Sequence, residues 1–233
     1  MRQKITILVA SLVLSLQVQA AISYDSGQIN LNTTIPTTEI TQSTFTFSGP
    51  TSLTIDPGSV RINLNISGGA VGDLFVQLID PSGNHESILL NRVGLTVGQP
   101  AGYANAGFQG WLYDSALGGN IHGNGGSYVP GASQLTGAFA PDGRSIASNS
   151  SGVAFDSNSP SRMLSVFDGI NPNGTWTLKF FDDVSGGGGD SIINSWQLQL
   201  TAVPEPTNVA LGVFGVVFAG VAVGRRLRVR ARA

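Results

Sequence analysis

Two histidines, three clustered aspartates and three aromatic side chains are the residues through which this chain could do chemistry. His85 and His122 are its imidazoles, and serines are so abundant that a Ser-His-Asp set can be named from composition alone. Neither histidine lies in the Gly-x-Ser-x-Gly context of a nucleophile elbow or the His-Glu-x-x-His spacing of a zinc helix. Both therefore read as solvated loop histidines, and the chain reads as not an enzyme. Cysteine is absent, which removes thiolate chemistry and disulfides together.

The aspartates offer a different chemistry. Asp182, Asp183 and Asp190 flank Ser185 and the glycine run 186–189. A flexible loop carrying several carboxylates can wrap a hard cation such as calcium in oxygen ligands. The spacing is not that of an EF-hand loop, and a glycine-rich hairpin tip with solvated aspartates is the competing explanation. No other cofactor is suggested. Trp111, Tyr113 and Tyr128 fall in a long glycine-rich region and form a candidate platform on which sugar rings could stack. Trp111 could equally be buried, since an indole carries a large apolar area.

Alternating strands must position these residues. Ile62, Leu64 and Ile66 alternate with Asn63 and Asn65, a period of two that turns one face inward. The same alternation runs through Leu74, Val76 and Leu78, through Trp176, Leu178 and Phe180, and through Trp196, Leu198 and Leu200. Weaker strands are predicted at 45–47, 53–55 and 88–90. The period places Trp176 and Trp196 in the core. Asp80-Pro81-Ser82-Gly83 and Asn171-Pro172-Asn173-Gly174 carry proline and glycine in turn positions, and Gly174 is expected at positive φ. Asp73, just before a strand, is read as an acceptor for backbone N–H groups of the preceding turn, with metal binding as the alternative. Residues 94–161 read as extended loops with some irregular strand, and no apolar repeat of 3.6 residues is convincing between 21 and 202.

Both ends of the chain read as addresses. Arg2 and Lys4 precede an apolar stretch from Ile5 to Leu16, and Val18-Gln19-Ala20 supplies the small-residue pattern of a signal-peptidase site, with cleavage between Ala20 and Ala21. At the other end stand Val203, Pro204, Glu205 and Pro206, an apolar run from Val209 to Val223, and then Arg225, Arg226, Arg228, Arg230 and Arg232. Five arginines behind an apolar span resist translocation and stay cytoplasmic, leaving everything before the span outside. The apolar run is 15 residues, against roughly 20 for an unstrained crossing. That makes it a weak permanent anchor and a plausible temporary one.

Of the 12 Lys and Arg, two lie in the leader and five in the tail, so residues 21–202 keep five. Of the 14 Asp and Glu, only Glu205 lies outside that window, leaving 13 and a net charge of −8. An acidic domain without a basic stripe has no electrostatic reason to hold nucleic acid.

Two resemblances attach to these residues. The tail over 203–233 resembles the PEP-CTERM sorting signal of Gram-negative bacteria, which implies recognition and cleavage near the motif by a membrane exosortase. It also implies an association with exopolysaccharide production. Gly72-Asp73-Leu74 through Asp80-Pro81-Ser82-Gly83, Phe167-Asp168-Gly169, Asn171 through Leu178, Asp190 and Ser195-Trp196-Gln197-Leu198 resemble the P domain (Homo B domain) of subtilisin-like proprotein convertases. That resemblance implies a β-sandwich of jelly-roll type, and some members bind calcium. The chain departs from the pattern at Ser67-Gly68-Gly69-Ala70-Val71, where the family often has a His-Thr or similar dipeptide. Only about forty residues separate Ala20 from the first matched strand, so convertase activity is not implied.

The expectation is an all-β chain: a signal peptide over 1–20, an antiparallel jelly-roll sandwich over 21–202, and a sorting signal with a short transmembrane helix over 203–233. Its function would be adhesion, matrix building or ligand display at the cell surface. Signal peptidase and exosortase would be its processing partners, the membrane its attachment before processing, and exopolysaccharide a further partner. A carbohydrate-binding surface module, permanently anchored by its C-terminal helix, is the alternative.

Overall fold

The computed structural model describes residues 20–37, 39–124, 133–183 and 190–205, together with 214, 215 and 218. Ala21–Val203 forms one compact unit. In chain order its strands are β1 (Ile22–Asp25), β2 (Ile29–Thr34), β3 (Thr41–Phe47), β4 (Leu53–Ile55), β5 (Arg61–Ser67), β6 (Leu74–Ile79), β7 (Glu86–Asn91), β8 (Gly107–Leu112), β9 (Leu135–Phe139), β10 (Gly174–Asp182) and β11 (Ile192–Pro204). The fold is all-β. Within Ala21–Val203 the helices among the described residues are short, α1 (Ile121–Asn124) and α2 (Gly152–Ser157), with two 3-10 turns beside them.

The strands form two sheets. The larger runs β1-β11-β5-β8-β9, with β2 and β4 also paired to β11; the smaller runs β3-β10-β6-β7. Inward side chains from both merge into one apolar core, in which Ile62, Leu64, Ile66 and Leu198 of the larger sheet share a cluster with Val76, Leu78, Leu178 and Phe180 of the smaller. The period-two reading of these strands therefore holds residue by residue. Trp176 and Trp196 are fully buried, and the indole N–H of each has an acceptor. Trp176 Nε1 donates to Pro172 O, and Trp196 Nε1 on the larger sheet donates to Ser43 Oγ on the smaller, both at 2.9 Å.

The turns behave as their residues dictate. Gly174 has φ +117° and Gly83 φ +74°, conformations open to glycine because it lacks Cβ. A Cβ on Gly174 would lie 2.6 Å from Pro81 Cβ, so the two proline turns also pack against each other.

Two expectations are corrected. The sheets are not wholly antiparallel, because β8 and β9 pair in parallel from Phe108↔Leu135 to Leu112↔Phe139. Parallel neighbours need a long crossover, and residues 113–134 supply it. The region 94–161 is accordingly less of a loop than its glycines suggest, since it contributes two regular strands to the larger sheet. No helix among the described residues is long and apolar enough to cross a membrane. The expected transmembrane span lies outside the described residues, apart from 214, 215 and 218.

Candidate functional site

With Ile62, Leu64 and Ile66 turned inward, Arg61, Asn63, Asn65 and Ser67 face outward from β5. Register then assembles a polar face. Asn63 lies opposite Gln197 of β11 on one side and Trp111 of β8 on the other, while Asn65 lies opposite Gln109 and Arg61 opposite Gln199. Trp111, half-buried, is followed across the sheet by Ala138 of β9. Tyr113 is two residues past Trp111 and so on the same face, where the Arg61 guanidinium carbon sits 4.7 Å from its ring centre. Trp111 and Tyr113, singled out from sequence, thus belong to one surface; Tyr128 lies outside the described residues.

One margin of this face is charged. Asp25 of β1 accepts from Gln197 Nε2 at 2.7 Å, Gln199 Nε2 at 2.9 Å and Gly27 N at 2.8 Å. The Gln197 amide, more than the Gly27 N–H and the Gln199 amide, holds its carboxyl below the ordinary range against the opposing effect of burial. An open groove of about 410 Å³ lies here, lined by Ser23, Asp25, Ser59, Arg61, Gln199 and Thr201 among others. Amides, hydroxyls, one fixed carboxylate, one guanidinium and an indole can hydrogen-bond and stack on a polyhydroxylated ligand. Among the described residues the face offers no paired base and nucleophile.

The expected calcium ligands lie at the end of β10 and just before β11. Asp182 is the last residue of β10 and stands opposite Leu74, which brings Asp182 and Asp183 beside Asp73. Asp190 is exposed. Arg92, at φ +48° just after β7, donates from Nε to Gly72 O at 3.0 Å. Its Nη2 lies 3.8 Å from Asp73 Oδ1 and its Nη1 3.5 Å from Asp183 Oδ2. Asp182 accepts from Ser191 Oγ at 2.9 Å and Asp183 from Ser148 Oγ at 3.1 Å. Burial foremost, then the neighbouring Asp182 charge, pushes the Asp73 carboxyl up to about 6, with Arg92 opposing. The Asp73 side chain therefore faces a guanidinium, rather than the turn N–H groups expected from its position. A cation for this cluster is built into the chain as Arg92, and among the described residues no group of three or more His, Cys, Asp or Glu could hold a metal ion.

The histidine expectation is half corrected. His85 sits in a turn, partly exposed, with Nδ1 3.3 Å from Asp80 Oδ2. His122 is buried instead: Nδ1 lies 2.6 Å from Asp142 Oδ2, Nε2 2.9 Å from Leu95 O, and the ring stacks on Phe155 at 5.5 Å between centres. Arg144 Nη1 stands 3.2 Å from the other Asp142 oxygen, and His122 N donates to Asn120 Oδ1 at 3.0 Å. The imidazole ties residues 95, 120–122 and 142–144 together. With both ring nitrogens engaged it has none left to activate a nucleophile. Nothing in the local sequence marks this, because Asp142 is twenty residues away.

At the ends, Ala20 and Ala21 are exposed immediately before β1. Val203 and Pro204 finish β11 and Glu205 follows. Pro206 and the arginines at 225, 226, 228, 230 and 232 lie outside the described residues.

No family model matches the chain, and no curated protein matches it. Among solved structures, the complex of an Aeromonas sobria serine protease with a chaperone is similar over 81% of this chain and 28% of that one, at 16% identity and a TM-score of 0.43. The structure of the serine protease of Aeromonas sobria is similar over 78% and 27%, at 17% identity and a TM-score of 0.41. This chain thus spans less than a third of the chains it resembles.

Proposed function

We propose that this chain is an exported bacterial cell-envelope protein whose two-sheet domain, of P-domain-like jelly-roll type, binds a ligand at the surface without catalysing its turnover. The observation that carries the reading is the order of the C-terminus: Val203-Pro204-Glu205-Pro206, a short apolar run and a terminal arginine cluster. The fold is compatible with processing there. β11 ends on Pro204, a residue with no N–H to extend a ladder, so a cut just after the motif removes no paired strand. Signal peptidase acting between Ala20 and Ala21 likewise spares β1, which starts at Ile22. An exosortase would act on the tail while the apolar run holds the precursor in the membrane. The engaged nitrogens of His122 favour binding over catalysis, and the net acidity of residues 21–202 disfavours nucleic acid.

Intact mass of the protein recovered from envelope and medium of an exosortase-bearing host tests this. A species beginning at Ala21 and lacking the arginine cluster is the expected result; a surface protein that retains the arginines overturns the sorting reading.

The second reading, a carbohydrate-binding module kept in place by its C-terminal helix, is favoured by the row Gln197, Asn63, Trp111 and the neighbouring Arg61–Tyr113 pair. Under either reading exopolysaccharide is the ligand class this face suits. Calcium is retained only as a ligand for the margin around Asp182, Asp183 and Asp190, where thermal shift with and without the ion is the direct check.

A further inference from the structure

An edge strand presents a row of free N–H and C=O groups to any extended partner, and proteins usually blunt such edges. Most edges of this molecule are blunted. Beside β7, Ile88 N donates to Arg162 O and Gly143 N to Ile88 O, both at 2.9 Å. β1 is only four residues long and ends on Asp25, and β2, which pairs with β11 from Ile192 to Trp196, is interrupted by Asn32 at φ +50°. β9 carries Gly137 at φ +143°.

β3 carries none of these devices. It pairs with β10 without a register shift from Gly174↔Phe47 to Phe180↔Thr41, and on its other side makes no backbone hydrogen bond to a described residue. Its sequence, Thr41-Gln42-Ser43-Thr44-Phe45-Thr46-Phe47, holds no proline, glycine or charge and consists mostly of residues that favour strands.

We propose that the β3 edge pairs with the β3 edge of a second copy of this chain, antiparallel about a two-fold axis at Thr44, joining two four-stranded sheets into one of eight strands. Charge selects a second copy. Residues 40–55 contain no charged side chain, in a domain of five basic and 13 acidic residues, so two acidic copies meet here without like charges opposed. The edge is also self-complementary. The two-fold sets Gln42 against Thr46 and Thr44 against Thr44, all exposed, and the partly buried Ser43 against Phe45. Exposed polar side chains stay exposed, and a self-paired patch closes as a dimer instead of propagating. Ile40, an apolar side chain left 58% exposed at the start of the edge, gains cover.

Sedimentation velocity on the full chain in detergent, over a concentration series, tests the proposal. Wild type is expected to shift from monomer to dimer, whereas Thr44→Lys and Thr44→Glu, which oppose like charges across the pair, are each expected to stay monomeric. An equimolar mixture of the two variants is expected to regain the dimer, which also shows that both are folded. The proposal is overturned by a wild type that stays monomeric, by variants that dimerise as wild type does, or by a mixture that stays monomeric.

Discussion

The guanidinium carbon of Arg61 lies 4.7 Å from the centre of the Tyr113 ring. The two residues meet because β5 and β8 are antiparallel neighbours with Ile62 opposite Leu112, which carries Tyr113 alongside Arg61. A cation over an aromatic face at a partly exposed site contributes about 0.5–1 kcal/mol. Its larger effect is positional, since it fixes the phenol on the face of the sheet that carries Trp111.

Trp111→Ala should weaken binding of exopolysaccharide about tenfold, the equivalent of about 1.4 kcal/mol and near the upper end of what one aromatic contact contributes. Isothermal titration calorimetry reads the affinity. The melting temperature should move little, because the indole is half-buried on an outer face. Unchanged affinity with the fold intact removes Trp111 from the ligand surface.

Trp196→Phe removes the bond from Nε1 to Ser43 Oγ together with the five-membered ring of a fully buried indole. Chemical denaturation should show a loss of about 1–3 kcal/mol for the bond and the orphaned hydroxyl, with a further cost for the cavity left beside the phenyl ring. Trp176→Ala should cost about 3–5 kcal/mol through the cavity it leaves. A Trp196→Phe variant as stable as wild type would mean that the inter-sheet bond adds nothing.

Asp73 makes stability depend on pH in a defined direction. Its carboxyl is raised from 3.8 to about 6 in the folded chain, so between those values the folded state holds a proton that the unfolded state has lost. The contribution of this group to stability therefore falls as pH rises from about 4 through 6, and the penalty is complete above that, on the order of 3 kcal/mol. Asp73→Asn should be the more stable protein at pH 8, with its advantage shrinking toward pH 4, as followed by urea unfolding at several pH values. An advantage independent of pH would contradict the assignment.

Arg92→Met removes the cation that bridges Asp73 and Asp183. Breaking such a pair leaves buried negative charge uncompensated and costs about 3–5 kcal/mol. At pH 8, calcium should then raise the melting temperature of the variant by more than it raises that of wild type. Equal responses would show that Arg92 is not the counter-ion of the cluster.

His122→Phe keeps the stacking on Phe155 but removes the ring nitrogens that pair with the Leu95 carbonyl and one Asp142 oxygen. A loss of about 2–4 kcal/mol is expected from unfolding curves. Ligand affinity should be preserved, which separates this buried cluster from the outer face of the larger sheet.

What could be read from sequence divides along physical lines. β5 was legible because one face is wholly buried, with Ile62, Leu64 and Ile66 all at 0% exposure, and so the alternation is undiluted. β8 and β9 were hidden because their pairing sets Gly110 against Gly137 and replaces side-chain pattern with close backbone approach. Trp111 and Tyr113 could be nominated by type, but their amide neighbours come from register with β5 and β11, which no local window contains. The Asp73–Arg92–Asp183 cluster was missed for the same reason. It joins residues that meet only once β6 and β10 pair, and Arg92 enters it through a left-handed backbone that its residue type does not announce.

β11 pairs with β1, β2, β4 and β5, and it is the last of these strands to be synthesised. The N-terminal partners have no complete sheet to join until residue 204 is available, so the chain cannot close early. Along the export route proposed above, it would reach the translocation channel still as an open polymer, the only form a narrow channel accepts. The halting of the arginine cluster at the membrane would then coincide with the arrival of the closing strand on the far side, tying the end of transport to the start of folding.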